Sequence, residues 1–477
     1  MLFNSLTFLI FLPVVFLLYW KAFGRNLRLQ NCFVVLASYI FYGYWDWHFL
    51  ILIAVTTLCS YVSGLLIEKY EKREIRRVIL WANVVLNLAI LCCYKYFDFF
   101  ADNFAALLRL IGMEADNVSL NLILPVGISF YTFQALSYTI DVYRKDISVA
   151  KDPIAFFAFI SFFPQLVAGP IERATNLLPQ FLRRRCFDNN FAEDGCWQIL
   201  WGFFKKVVVA DNCALIANQI FGDYHSYGSL SLLGGAIFFT FQIYGDFSGY
   251  SDIAIGVAKL FGINLMQNFK TPYFSRDIAE FWRRWHISLT TWFRDYIYIP
   301  LGGSRCKRSK VARNTLVIFL VSGLWHGAEW TFVAWGAYHA VLFLPSILTG
   351  RNRRYVGEVS SGRLLPTLSD AAKMSLTFIL VLIGWILFRA DNIQTAWSYL
   401  KRLFSFVGST VPMPKHWIEA AVYIIIMVMI EWITRDKLHG LQFGIKSRSL
   451  KIILATVVVL IIEFTMGASS DFIYFQF

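Results

Sequence analysis

Apolar segments long enough to cross a bilayer, about 20 residues each, run through almost the whole of this 477-residue chain. Hydrophobic residues make up 57% of the sequence and charged residues 16%, well below the roughly 25% of a soluble domain. Backbone that faces lipid must satisfy its own hydrogen bonds, which leaves helices and closed barrels. The apolar runs lack the residue-by-residue alternation of barrel strands. The sequence therefore predicts an all-α polytopic membrane protein.

The Lys and Arg residues between the apolar segments predict how the chain crosses the membrane. Basic clusters at residues 69–77 and 305–313 belong in the cytoplasm by the positive-inside rule, and the acidic stretch 101–120 belongs outside. This pattern gives about a dozen membrane segments and places both termini outside. The apolar run 153–172 contains FFPQLVAGPIE, whose prolines and glycine predict a re-entrant turn. One integral-membrane domain is expected over residues 1–477.

Three further segments carry specific structural expectations. Residues 121–140 should form a helix that is kinked or broken by its proline and glycine. Residues 196–222 predict a shorter amphipathic helix that contains two adjacent lysines. Residues 229–263 predict two apolar runs on either side of the polar stretch YGDFSGYSD.

The charge and the motifs of the chain exclude several classes of function. The net charge is +13, but no nucleic-acid recognition motif accompanies it, so the expected partner of the basic loops is the bilayer and not nucleic acid. The eight cysteines form no CxxC pair and no zinc-type spacing, so we expect neither a disulfide framework nor a metal site. GxSxG, HExxH, GxGxxG and P-loop motifs are also absent from the sequence.

The stretch FWRRWHISLTTWFRDYIYIPLGGSR, residues 281–305, concentrates aromatic and basic residues around one histidine. On a helix, its aromatic side chains would share one broad face, with Arg283 and Arg294 on the other side. This pattern is typical of a helix that lies in a membrane interface, and it predicts His286 at the apolar–polar boundary. A soluble donor and a membrane site could meet there. A packing histidine is the alternative.

A second histidine, His326, lies in an apolar segment, residues 314–349, whose two flanks are both basic. The segment must therefore enter the membrane and return, with a turn near residues 323–329. The helix from Arg313 to His326 would be about 20 Å long, which buries the histidine in a hydrocarbon core about 30 Å thick. An ionisable residue at this depth is a candidate for function, and burial favours the neutral imidazole that acts as a general base. A neutral histidine hydrogen-bonded to a neighbouring helix is the alternative.

Other polar residues near these histidines are candidates for binding. Five basic residues have the charge to hold the phosphates of an acyl-coenzyme A: Arg283, Arg284, Lys307, Arg308 and Lys310. The positive-inside rule explains the same residues equally well. Asp246 and Ser248 in YGDFSGYSD, together with Asp295, are candidate polar residues of the core. For Asp246 and Asp252, a buried hydrogen-bonded carboxylate with a structural role is the alternative.

Two motifs give the sequence a family resemblance. WRRWHISLTTWFRDYIYIPLGGSR, followed by VSGLWHGAEWTFVAWG, resembles the signature of the membrane-bound O-acyltransferases, in particular the bacterial branch of alginate O-acetylase membrane subunits. The resemblance extends from FYGYWDWHF to the terminal FIYFQF, with a signature core over residues 121–349. It implies a ring of helices around a thin catalytic core, with a cytoplasmic channel for the donor. In that case His326 matches the catalytic histidine, and His286 matches a second functional position.

The terminal FIYFQF, residues 472–477, carries a further implication of this resemblance. In the related D-alanyl exporter of teichoic-acid modification, a separate small peptide ends in a similar motif, whose tyrosine is thought to carry the acyl group. Tyr474 therefore resembles a built-in relay, which favours O-acetylation of a polysaccharide or of peptidoglycan over D-alanylation. An aromatic anchor at the membrane interface is the alternative.

These features lead to one hypothesis, an O-acyltransferase of the bacterial inner membrane that uses acetyl-coenzyme A as a substrate and holds no permanent cofactor. The donor is expected at the basic, Trp-lined element around His286, with these candidate contacts: Arg283, Arg284, Trp285, Arg294 and Trp325. The acetyl group would pass to an extracytoplasmic SGNH or esterase-like partner and then to an exported glycan, either alginate-like or peptidoglycan. A D-alanyl exporter is the alternative of the same class. A transporter is the alternative of another class, and the lack of an inverted repeat argues against it.

Overall fold

The computed structural model describes residues 1, 3–466 and 472–473. All regular structure in this part of the chain is helical, and no strand occurs in it. Within the same residues, these helices are long and apolar enough to cross a membrane: Trp47–Lys69, Arg73–Leu110, Ser229–Leu260, Trp330–Leu348 and Leu368–Arg389. The prediction of an all-α membrane protein is confirmed. The total of about a dozen membrane segments stays a prediction.

The chain divides into two compact units, and the first consists of residues 1–195 and 257–266. Its helices, in chain order, are Leu6–Leu17, Leu27–Gly43, Leu50–Lys69, Arg73–Leu91, Phe97–Leu110, Ile128–Arg144, Pro153–Ser161, Phe163–Leu166 and Ala174–Phe181, with the start of Asn189–Phe203. Two π-helical turns, Leu18–Ala22 and Cys92–Tyr96, extend the first and fourth of these helices. The single domain expected over residues 1–477 stays a prediction.

The helix Ile128–Arg144 lies at the centre of the first unit and is almost wholly buried against the two helices Leu50–Lys69 and Arg73–Leu91. The predicted break before it is confirmed, because the helix begins only after Gly127. This glycine has φ +75°, and a Cβ at its position would collide with the carbonyl oxygen of Leu166. A residue with a side chain would therefore be strained both by its backbone angle and by this contact.

The apolar run 153–172 is also broken, as its prolines predict. It forms the helices Pro153–Ser161 and Phe163–Leu166, which Phe162 separates with non-helical backbone angles. Most of the run is buried, so irregular backbone here is covered by protein. The re-entrant path of this run through the membrane stays a prediction.

The second unit consists of residues 196–256 and 267–477. Its helices are Asp211–Gly222, most of Ser229–Leu260, Ile278–Arg284, Ile287–Phe293, Arg308–His326, Trp330–Leu348, Leu368–Arg389, Ile393–Leu403, Trp417–Ile433 and Arg448–Thr465. Two π-helical stretches, Phe204–Ala210 and Arg294–Tyr298, interrupt the helices of this unit, and each contains two charged residues. Single π-helical turns are frequent at functional sites, so both stretches are candidates for a functional role.

Two sequence predictions for this unit are wrong. The two apolar runs predicted in 229–263 do not form separate helices, because one helix of 32 residues, Ser229–Leu260, contains both runs and YGDFSGYSD between them. Gly249 permits the close approach of a neighbouring element, since a Cβ there would lie 2.7 Å from the carbonyl oxygen of Gly202. The segment 196–222 is not one amphipathic helix either. It changes to a π-helix at Phe204–Ala210, whose seven residues are all buried.

The predicted turn in the segment around His326 is confirmed as a helical hairpin, while its re-entrant path through the membrane stays a prediction. Arg308–His326 and Trp330–Leu348 pack along their length, and residues 327–329 form the turn between them. Gly323 and Gly336 face the backbone of the opposite helix, and a Cβ at either position would clash with a carbonyl oxygen. Such small residues allow two helices to approach closely inside a membrane, so the hairpin holds His326 on a rigid element.

Candidate active site

The predicted interface helix around His286 is wrong, because the chain leaves the helical conformation at Trp285 and His286. The helix Ile278–Arg284 ends there, Trp285 is extended, and His286 takes left-handed angles with φ +43° before the helix Ile287–Phe293 begins. A positive φ is uncommon for a residue other than glycine and often marks a functional position. His286 is 1% exposed, so it lies in the core of this unit and not at a surface boundary.

The break at His286 is stabilised by hydrogen bonds to the preceding loop. The amide of Ile287 donates to the carbonyl oxygen of Asn268 at 2.9 Å, and the Ser288 hydroxyl donates to the Asn268 side-chain oxygen at 2.9 Å. One step earlier, the amide of Lys270 donates to the carbonyl oxygen of Arg284 at 3.0 Å. These bonds replace the helical bonds that are lost at the break, and they fix the backbone on both sides of the imidazole.

The structure brings His286 and His326 together in an aromatic core. Their ring centroids lie 6.3 Å apart, and Trp325 contacts the His286 ring at 5.7 Å and the His326 ring at 5.0 Å. His326 is 4% exposed at the C-terminal end of its helix, where its ring also packs on Trp335 at 5.2 Å and Phe388 at 5.4 Å. Two imidazoles in a largely apolar surrounding can exchange protons with a substrate while bulk water is excluded.

Burial lowers the pKa of His286 to about 3. The apolar surroundings disfavour the charged imidazolium, because no solvent is present to stabilise it. His286 lies between two short helices and outside the candidate spans, and its imidazole is neutral at physiological pH. A neutral imidazole can both accept and donate a hydrogen bond, which suits a residue that orients a polar reactant.

A third histidine of this core, His339, was missed by the sequence reasoning. It is fully buried in the helix Trp330–Leu348, and its ring lies 5.1 Å from the rings of both Trp282 and Trp335. Gly384 of a neighbouring helix makes room for it, since a Cβ at that glycine would lie 2.7 Å from the His339 Nε2. An ionisable residue inside an apolar helix is a signal that could have identified it. Its tight packing indicates a structural role.

The predicted donor-binding arginines are engaged in contacts with the protein itself. Arg284 is buried and forms ion pairs with Glu280 at 3.0 Å and with Glu358 at 2.9 Å. Arg283 donates to the carbonyl oxygens of Asn352 and Tyr355. Both guanidinium groups therefore tie the loop that follows the hairpin to the helix before His286.

The other candidates from the two motifs occupy different environments. Trp285 is 1% exposed and packs against Phe269 at 5.0 Å, whereas Trp325 lies directly against His286. Arg294 and Asp295 form an exposed ion pair with each other at 2.7 Å. Of the five residues proposed to contact the donor, the structure thus places the two tryptophans in the aromatic core and Arg294 near solvent.

The structure supplies a test of whether Arg284 is a structural residue. Arg284→Met should lower the stability of the protein by on the order of 2–4 kcal/mol, because it leaves the carboxylate of Glu280, which is fully buried, with Arg276 as its remaining partner. Thermal unfolding in detergent measures the loss, and the exposed Arg294→Met serves as the matched control with little change. If Arg284→Met kept the wild-type stability and raised only the KM for the donor, Arg284 would be a donor ligand instead.

A second buried group of charges surrounds the π-helix Phe204–Ala210, and the sequence reasoning did not foresee it. Lys206 forms ion pairs with Asp246 at 2.7 Å and with Asp211 at 2.9 Å. Lys205 pairs with Asp252 at 2.6 Å, and Gln198 donates to the same carboxylate at 2.8 Å. Asp246 and Asp252 are therefore buried and paired, which matches the structural alternative for both. Ser248 is buried in the same helix.

A polar cavity of about 30 Å³ lies beside this charged group. Its wall includes Lys205, Asp252 and Glu431, and the Tyr244 hydroxyl donates to the Glu431 carboxylate at 2.8 Å. This volume suits one or two water molecules but not a coenzyme. Phe269 belongs to the same wall and lies 6.4 Å from the ring of His286, so the cavity approaches the histidine pair.

Tyr474 lies outside the residues that the structure describes, but the two residues before it are described. Phe472 is 2% exposed and Ile473 is 1% exposed. The amide of Ile473 donates to Asp246 Oδ2 at 2.7 Å. The FIYFQF segment therefore enters the core of the second unit at its first two residues.

Comparison with known proteins gives a consistent result. Residues 32–381 match the family described as MBOAT, membrane-bound O-acyltransferase family, and this range contains both histidines of the aromatic core. The chain is 42% identical to a probable alginate O-acetylase of Pseudomonas aeruginosa over 409 residues, which is 85% of this chain and 75% of the relative. It is 34% identical to a peptidoglycan O-acetyltransferase of Helicobacter pylori over 438 residues, 86% of this chain and 80% of the relative. It is 31% identical to a teichoic acid D-alanyltransferase of Streptococcus thermophilus over 271 residues, 51% of this chain and 62% of the relative.

Proposed function

Because this chain belongs to the membrane-bound O-acyltransferase family, we propose that it transfers an acetyl group from acetyl-coenzyme A, on the cytoplasmic side, to an acceptor outside the bacterial inner membrane. The enzyme class follows from the family. The observation that best supports the proposed chemistry is the buried pair of His286 and His326, which lie 6.3 Å apart on two rigid elements. The choice of acetyl rests on the names of the relatives that match along most of the chain, an alginate O-acetylase and a peptidoglycan O-acetyltransferase.

In the proposed reaction, His326 acts as the general base. A ring nitrogen of His326 takes the proton of an acceptor hydroxyl while the hydroxyl oxygen attacks the thioester carbonyl carbon. The new C–O bond forms, the C–S bond breaks, and the proton passes from the imidazole to the sulfur, which leaves as the free thiol of coenzyme A. His286 has the second role, in which its neutral imidazole donates a hydrogen bond to the carbonyl oxygen and so orients the thioester.

We assign Tyr474 as the first acceptor. A tyrosine ester retains much of the reactivity of an activated ester, so its acetyl group can move to a serine of an extracytoplasmic, SGNH or esterase-like partner. The partner would then acetylate an exported glycan, either an alginate-like polymer or peptidoglycan. Coenzyme A stays in the cytoplasm, and only the acetyl group crosses the membrane. The D-alanyl alternative has weaker support, because the teichoic acid relative covers only 51% of this chain.

The proposed arrangement in the membrane is a ring of about a dozen segments around a thin core, with some segments re-entrant and both termini outside. The donor would approach from the side of the basic loops, close to Trp285 and Trp325. The bilayer is the direct environment of the protein, and nucleic acid has no part in the proposal.

The O-acetyl content of exported glycans tests the proposed function. A strain that lacks this protein should lose the O-acetyl groups of one polymer, and the wild-type gene should restore them while the His326→Gln gene should not. Alkaline release of acetate from each purified polymer measures this and also identifies the acceptor. Unchanged acetylation of every exported glycan, together with loss of D-alanyl esters, would instead support the D-alanyl alternative.

The orientation in the membrane gives a separate prediction. Cysteines introduced by Arg73→Cys and Arg308→Cys should resist an impermeant thiol reagent in intact spheroplasts, because both positions lie in basic clusters, at the start of a helix, that are assigned to the cytoplasm. Asp116→Cys, in the acidic stretch assigned to the outside, is the matched control and should react. The background protein should first have its exposed cysteines replaced, since several of its own are accessible. Labelling at position 73 or 308 from outside would reverse the assigned orientation.

A further inference from the structure

The last described residues of the chain are held by their backbone, not only by apolar packing. The amide of Ile473 donates to Asp246 Oδ2 at 2.7 Å, and both groups are buried. A hydrogen bond from a backbone amide to a carboxylate is stronger than one between neutral groups. It also does not depend on which side chain the docked residue carries. Asp246 therefore fixes the backbone of the C-terminal segment, defined here as the described residues 472–473.

The acceptor of this hydrogen bond is itself fixed by a buried ion cluster. Lys206 lies 2.7 Å from Asp246 Oδ1, so the two oxygens of one carboxylate serve two different partners. Lys206 also pairs with Asp211 at 2.9 Å. The lysine comes from the π-helix Phe204–Ala210, whose wider turn has all of its side chains buried. The ammonium group balances the charge of the carboxylate and limits its rotation.

An aromatic contact connects the docked segment to the histidine pair. The Phe472 ring lies 4.7 Å from the ring of Tyr250 and 6.3 Å from the ring of Phe247. Phe247 then contacts the His286 ring edge-to-face at 4.7 Å. Phe247 and Asp246 are neighbours on the helix Ser229–Leu260. The same turn of this helix therefore accepts a hydrogen bond from the C-terminal segment through Asp246 and contacts the His286 imidazole through the Phe247 ring.

We propose that Asp246 and Lys206 are positioning residues that dock the C-terminal segment beside His286, with the backbone amide of Ile473 as the recognised group. The catalytic consequence rests on the proposed function, in which the next residue, Tyr474, receives the acetyl group. Asp246 does not touch the substrate in this scheme. Asp246 holds the C-terminal segment in place, and Lys206 holds the Asp246 carboxylate in place.

Digestion of the full-length protein by carboxypeptidase in detergent tests the docking directly. Intact-mass measurements should show that the wild type keeps the buried residues 472–473. In Asp246→Ala, trimming should continue past residue 472 at a rate on the order of ten- to a hundred-fold higher, because a buried hydrogen bond to a charged group has been lost. The variant should fold, because Lys206 keeps Asp211 as a partner.

Two variants separate docking from general loss of structure. Asp246→Asn keeps an oxygen that can accept from Ile473, so it should retain most of the protection. Asp252→Ala breaks the comparable buried pair with Lys205 on the same helix, but it should leave the tail protected. Equal protection in Asp246→Ala and the wild type would overturn the proposal, as would equal loss of protection in Asp252→Ala.

Kinetics provide the second readout. Asp246→Ala should lower kcat for acetyl transfer by a factor similar to the loss of protection, with the KM for acetyl-coenzyme A unchanged, and Asp246→Asn should restore most of kcat. If Asp246→Ala released the C-terminal segment but kept the wild-type kcat, the positioning role would be overturned. If the proposed function is wrong, the pattern is different. Tyr474→Phe would then be fully active, while Asp246→Ala would still release its C-terminal segment to the protease.

Discussion

His326→Gln is expected to lower the rate of acetyl transfer by a factor on the order of 10²–10⁴, with the protein still folded in the membrane. His326 ends one helix of a hairpin, and its ring is enclosed by Trp325, Trp335 and Phe388. Glutamine keeps a polar side chain of similar length but cannot take a proton at neutral pH. The substitution therefore removes the base while it disturbs the packing little.

His339→Gln is the matched control for this prediction. It applies the same substitution to another buried histidine of the same hairpin, and Gly384 and two tryptophans pack closely around that side chain. We expect it to lower thermal stability while the rate per folded molecule stays close to that of the wild type. Glycan O-acetylation in cells, divided by the amount of folded protein in the membrane, measures both variants. Near-normal activity of a folded His326→Gln protein would remove the general-base assignment.

Tyr474→Phe is expected to block glycan acetylation and to leave donor binding unchanged. The substitution keeps the ring and removes only the hydroxyl, so the loss would be one of chemistry and not of packing. A phenol has a pKa of about 10, so it requires a nearby base to become a nucleophile at neutral pH. His326 is the proposed base. The two residues before Tyr474 are buried next to the element that contacts His286, which supports this assignment.

Tyr423→Phe is the control for the loss of a phenol, because Tyr423 is half-buried on the helix Trp417–Ile433 and lines a pocket whose wall contains neither His286 nor His326. It should acetylate normally. Binding of labelled acetyl-coenzyme A to each purified variant measures the donor side, and the acetate content of the glycan measures the whole reaction. Normal glycan acetylation by Tyr474→Phe would show that this tyrosine is an anchor and that the acetyl group reaches the partner directly.

The hairpin of His326 could be predicted from sequence because its cause is local. Two apolar runs have basic residues on both outer flanks, so the chain must turn between them, and Gly327 and Glu329 mark the turn. The other site residues are held by partners that are distant in the sequence, and the residues next to them in the chain do not predict those partners. Trp285 and His286 interrupt a helix with no proline or glycine in the sequence, because the bonds that replace the helical ones come from Asn268 and Lys270.

The buried charges illustrate the same limit. Lys205 and Lys206 look like the polar face of an amphipathic helix, and their true partners, Asp252 and Asp246, are supplied by another helix. Arg284 looks like a free cation beside a donor site, yet Glu280 and Glu358 neutralise it. A pattern in one segment shows that a charge is present. It does not show whether water, a ligand or a distant carboxylate pairs with it.

The most direct test of the central claim uses the purified full-length protein and acetyl-coenzyme A, without a partner protein. We predict that the wild type releases about one equivalent of free coenzyme A thiol in a fast phase and gains the mass of one acetyl group on Tyr474, as a covalent intermediate requires. His326→Gln should do neither at a comparable rate. Release of coenzyme A by His326→Gln at the wild-type rate, or a wild type that binds the donor without cleaving it, would contradict the account.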